Sequence, residues 1–119
     1  MIVDLNMAIQ KHAEWKYKFR TAMESQEIMD AATISKDNCC EIGKWLYGEA
    51  KDKHGHLKSY AKCLSAHAAF HIEAGRIAAL INSHKKDEAE RMLSTGTPYH
   101  EASKKVGVAI IELKNEIGA

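Results

Sequence analysis

Apolar residues recur at three- and four-residue intervals through most of this chain, and Pro98 is its only proline. That spacing draws an apolar stripe down one side of a helix, which an internal proline would interrupt. Runs of alternating β-branched residues, the mark of half-buried strands, are absent, while Ala, Lys, Glu, Ile, Leu and Met dominate. The expectation is an all-α fold. At 119 residues the chain is most economically one domain spanning residues 1–119.

The pattern predicts a first helix over residues 4–29, with Leu5, Ala8, Ile9, Trp15, Phe19, Ala22 and Met23 on its inner stripe. A short second helix starts near Asp37, carries Cys40 in its first turn and ends near Gly48. Residues 51–55 read as a loop. A third helix follows over 56–81, its stripe made of Leu57, Tyr60, Leu64, Ala74, Ala78 and Ile81. A short fourth covers 87–93, with Asp87 and Glu88 at its dipole-favoured start. Thr97 as N-cap and Pro98 at the first helical position open a last helix to about Ile117, with Ala102, Val106, Ala109, Ile110, Leu113 and Ile117 inward. Three long helices, two short ones and short connections predict an antiparallel up-and-down bundle.

Seventeen Lys and Arg face sixteen Asp and Glu, both signs interspersed, so nothing marks a nucleic-acid or anionic-membrane surface. The nearest basic run, His84-Lys85-Lys86, is answered at once by Asp87, Glu88 and Glu90. No stretch approaches a membrane span, and the start lacks a basic segment followed by an apolar signal core, so a cytoplasmic location is expected. Three cysteines, Cys39 and Cys40 adjacent, suit free thiols in a reducing compartment better than a disulfide framework.

His12, His67 and His71 fall inside the apolar stripes, where a plain bundle would place Leu or Ile. A buried imidazole without a partner costs about 1–3 kcal/mol, so something must compensate. His67 and His71 are four residues apart and lie one turn apart on one face, the spacing by which a helix offers two ligands to one metal ion. Taken alone, H-x-x-x-H is more often a pair of satisfied core histidines. With His12 on another helix and a thiol at the start of the second, three nitrogens and one sulfur complete the tetrahedral set that Zn²⁺ prefers.

H-A-E-W-K at 12–16, C-E-I-G-K-W-L-Y-G at 40–48 and H-A-A-F-H-I-E-A-G at 67–75 resemble the three signature segments of the chemoreceptor zinc-binding domain family, in the same order along one bundle. The resemblance covers nearly the whole chain. It implies zinc ligands at His12, Cys40, His67 and His71, a homodimer to which the first and last helices contribute, and attachment to a signalling effector, in cis or in trans, of chemotaxis-receptor or diguanylate-cyclase type. It also implies that zinc occupancy or oxidation of the ligand cysteine alters the output. Cys40 keeps the family's spacing to Gly43 and Trp45, whereas Cys39 is one residue out of register, rotated about 100° around a helix.

Cys39 then reads as a bystander at a helix start, and Cys63, one turn before His67, as a small buried hydrophobe with the option of substituting as ligand. Gly43, Trp45 and Trp15 read as packing residues. His54, His56, His84 and His100 fall near loops or helix ends and are expected to be exposed. Four protein ligands would close a zinc site to activated water, so an enzyme is not expected. Two other classes stay open. A hemerythrin-like di-iron bundle shares H-x-x-x-H, and His84 to Glu88 offers H-x-x-x-E, though after His67 and His71 instead of before them. A histidine phosphotransfer domain needs one exposed histidine such as His84, which leaves three inward histidines unexplained.

Overall fold

Eight helical segments make up the computed structural model, which describes residues 4–118: α1 (Leu5–Ala13), α2 (Trp15–Ser25), α3 (Ala31–Ile34), α4 (Glu41–Tyr47), α5 (Glu49–His54), α6 (Lys58–Asn82), α7 (Lys86–Met92) and α8 (Pro98–Ile117). Capping explains several starts. Asp4 accepts the Met7 amide at α1, Asp30 the Thr33 amide at α3, and Thr97 the His100 amide ahead of Pro98 at α8. Each satisfies a donor that has no partner within its helix.

The direction of each segment follows from its partners. Ser59 bonds Glu116, Lys62 pairs with Glu112 and Phe70 packs on Tyr99, so α6 and α8 run antiparallel. His12 packs on Phe70, while Met29 exchanges hydrogen bonds with Asn82, so the first two helices run with α6. Between them the chain returns: Ile34 meets His71, Cys40 meets His67, and Leu46 accepts the Tyr60 hydroxyl at 2.6 Å. The result is the expected up-and-down bundle, with one descending arm broken into α3, α4 and α5.

That arm is where boundaries depart from expectation. The first helix ends at Ser25 instead of 29, because Gln26 turns left-handed (φ 56°) and the chain crosses to Asn82. α1 and α2 are separated only by Glu14, which keeps right-handed helical geometry. Cys40 is the N-cap of α4, one place before the first turn, and residues expected as a loop at 51–55 belong largely to α5. There, acidic Glu49 and Asp52 lie in the first turn and Lys51, Lys53 and His54 in the last, a polarity that favours a helix. The third and fourth helices shift by a residue or two, and the last stands as expected.

Phe19, Leu46, Phe70, Ile77, Ile110 and Leu113 form the deepest core. In α6 the buried face is wider than its expected stripe: Cys63, Phe70 and Ile77 are fully buried while Leu57 and Leu64 are only partly so. This helix packs against α8, α3, α7 and α2. Among the described residues, no helix is long and apolar enough to cross a membrane.

Candidate metal centre

His67 and His71 stand one turn apart in the middle of α6, buried to 0% and 3% exposure, with their Nε2 atoms 3.1 Å apart. Cys40 brings its Sγ to 3.2 Å from the first and 3.6 Å from the second. His12, also buried, closes the group from α1, its ring centre 5.1 Å from that of His67 and 5.5 Å from that of His71. One ligand atom from each of the four lies within 4.8 Å of all the others.

Hydrogen bonds fix how two of the rings face. The Nδ1 of His12 is 2.7 Å from the Ala8 carbonyl and that of His71 is 2.8 Å from the Ile34 carbonyl. A carbonyl only accepts, so both Nδ1 atoms carry hydrogen and both Nε2 atoms present lone pairs to the cluster. Backbone carbonyls in this role orient metal-ligating imidazoles. The His12 Nε2 is buried and has no hydrogen-bond partner. His67 points its Nε2 into the group while its Nδ1 is buried without a partner.

Two glycines let the cysteine segment approach. A Cβ at Gly75 on α6 would come within 2.5 Å of the Ser35 Cβ, and one at Gly43 on α4 would overlap the Asp37 carbonyl oxygen. Gly43 is thus a packing residue, as expected, and what it admits is the loop before its own helix. Gly75 lies in the third signature segment, four residues past His71, and was not singled out in the sequence. The Ile34 carbonyl carried no sequence signal.

Electrostatics show what the group lacks. Burial pushes all three imidazoles down, His67 furthest, to about 3, with the neighbouring His71 and His12 adding to the effect. Burial likewise pushes the Cys40 thiol up, against the pull of the Gly43 and Ile42 amides. Without a cation, neutral lone pairs and an un-ionised thiol would face one another. A tetrahedral zinc with bonds of about 2.0–2.1 Å to nitrogen and about 2.3 Å to sulfur sets its donors about 3.3 Å (N to N) and about 3.6 Å (N to S) apart. The observed N to N spacing of 3.1 Å and the 3.6 Å from Cys40 to His71 come close to these values, and the 3.2 Å from Cys40 to His67 is about 0.4 Å shorter. The donors fit zinc.

Residues 12–78 match the family model of the chemoreceptor zinc-binding domain. The chain belongs to this family. Zinc is therefore its cofactor, and its coarse role is that of a zinc-binding signalling domain. No curated protein and no solved structure matches the chain.

The remaining chemically able residues of this chemoreceptor zinc-binding domain lie elsewhere. Cys39 is exposed and directs its sulfur toward the Asn38 side chain, and Cys63 is fully buried, its thiol pushed up to about 12. His56 and His84 are exposed as expected, whereas His54 and His100 are half-buried at helix ends. His84 and Glu88 are both on the surface, so the di-iron pattern does not assemble around His67 and His71. Trp45 and Trp15 pack at the core edge, and Lys18 sits 4.6 Å over the Trp15 ring.

Proposed function

We propose that the Nε2 atoms of His12, His67 and His71 and the Sγ of Cys40 hold one zinc ion in a closed tetrahedral site. Residues 1–119 act as one regulatory domain of bacterial signal transduction, of chemotaxis-receptor or diguanylate-cyclase type. The observation that carries this is the convergence of four donors within 4.8 Å, with buried, unpartnered nitrogen on His12. A four-donor shell leaves no position for activated water, which supports a sensing role over catalysis. When bound, zinc supplies the positive charge that keeps Cys40 a thiolate.

Cys40 is the single anionic donor of the set and the half-buried one, whereas the histidines are buried. Oxidation of its sulfur to a sulfenic acid by a peroxide or hypochlorite removes that anion and weakens the site, and thiols reverse it. The domain works in the cytoplasm as a homodimer that passes the change to an effector in cis or in trans. Metal analysis tests the core of this reading. Purified wild type carries about one zinc per chain and Cys40→Ala much less; two irons, or no metal, refute it.

A further inference from the structure

We propose that Asp37 and Tyr47 form a clasp that holds the Cys40 segment closed and thereby sets how long zinc stays bound; this rests on reading Cys40 as a zinc ligand. Tyr47, the last residue of α4, donates its phenolic hydrogen to the Asp37 carboxylate. The two residues bracket Cys40, three positions before it and seven after. The main chain of Asp37 also lies on Gly43, where a side chain would overlap its carbonyl oxygen. Asp37 is thus held twice by α4, through its backbone near the start of the helix and through its carboxylate at the end.

The histidines need no such device. His67 and His71 belong to the 25-residue α6, and His12 to a helix packed along α8, its ring against Phe70 of α6, so bundle packing fixes them. The sulfur instead comes from the N-cap of a seven-residue helix behind a loop. Upstream, that loop is tied to α6 by the Ile34 carbonyl on His71 and by Ser35 against Gly75. Downstream, the clasp and Gly43 are what fold it back. Cys40 is therefore the donor whose departure starts zinc release, and the clasp opposes that departure. Tyr47 is 46% exposed and Asp37 lies outside the core, so variants at either position keep the bundle.

The test follows zinc transfer from the loaded full chain to an excess of chromogenic chelator. Tyr47→Phe and Asp37→Ala should each release zinc about tenfold faster than wild type, the scale of one hydrogen bond to a charged acceptor. The double variant should be no faster than either single one, because both remove the same bond. Asp37→Asn keeps a neutral oxygen acceptor and should release more slowly than Asp37→Ala, between it and wild type, which separates the clasp from the charge of Asp37. Co²⁺-loaded Tyr47→Phe should keep the sulfur charge-transfer band of wild type. A Tyr47→Phe rate within twofold of wild type, a double variant equal to the product of the singles, an Asp37→Asn as fast as Asp37→Ala, or loss of that band overturns the clasp. A wild type that holds no zinc overturns the metal-site reading itself.

Discussion

His71 donates its Nδ1 hydrogen to the Ile34 carbonyl 2.8 Å away, which joins the four-residue helix α3 to the middle of α6. This single bond orients one imidazole toward the cluster and anchors the loop that carries the thiol. Ring orientation and loop position are therefore coupled through one backbone oxygen. A change at the sulfur has a direct mechanical route to α3.

Removing the metal should loosen this arrangement. Three imidazoles and a thiol would be left without their shared partner, and a site saturated about a thousandfold above its Kd contributes about 4 kcal/mol. For a chain of this length that is a fall in melting temperature of roughly 15 °C. Calorimetry of zinc-loaded and chelated protein checks it. An unchanged melt after verified zinc removal contradicts the link between metal and fold.

The metal-free protein should weaken in acid. Burial depresses the folded-state values of all three histidines, with His67 at about 3 against 6.5 when unfolded. Below pH 6.5 the unfolded chain binds more protons than the folded one, so stability is complete above 6.5 and is lost as pH falls toward 3. His67 alone should cost about 2 kcal/mol by pH 5. Denaturant titrations of chelated protein at pH 8, 6 and 5 measure this. A flat profile would show that the histidines are not buried as neutral groups.

The four clustered side chains were legible in the sequence because each carries a chemical signature at a helical period: two histidines one turn apart, a third in another apolar stripe, and a cysteine in register with Gly43 and Trp45. The bundle and its last helix were legible for similar reasons, since Thr97 and Pro98 announce a start and the stripe to Ile117 is regular. The broken descending arm was not. α3 has only four residues, and its contribution to the site is a backbone carbonyl, a group every residue has. Gln26 ends α2 in a left-handed conformation more common for Gly or Asn, a choice fixed by the distant pairing of Met29 with Asn82.

Glycine substitutions should sort by what they meet. Gly75→Ala drives a methyl into Ser35 and should cost about 1–3 kcal/mol, with weaker zinc retention as the Ile34 carbonyl shifts from His71. Gly107 is also helical, but a Cβ there meets nothing within 4 Å, so Gly107→Ala should stabilise by about 0.5–1 kcal/mol. Melting and zinc-binding curves of the pair check both signs. Equal effects would mean that Gly75 is not set by close approach.

Oxidation should act first at the zinc-bound thiolate. Equimolar hypochlorite or peroxide added to loaded protein should release zinc and modify Cys40 ahead of Cys63, whose thiol is buried and pushed up to about 12. Peptide mass spectrometry beside a zinc-release assay reads both. If Cys40 stays intact while other residues oxidise, the site is a static clamp.

Solution assembly is a separate expectation. Light scattering at micromolar concentration should give twice the chain mass, and a monomer would contradict the two-fold dimer.

X-ray absorption at the zinc edge counts the donors of the site and separates sulfur from nitrogen. The closed site should give a four-coordinate shell of three nitrogens at about 2.0–2.1 Å and one sulfur at about 2.3 Å, with the sulfur lost in Cys40→Ala. A wild-type shell without sulfur, with two sulfurs, or with a fifth oxygen donor would contradict the closed site of His12, Cys40, His67 and His71.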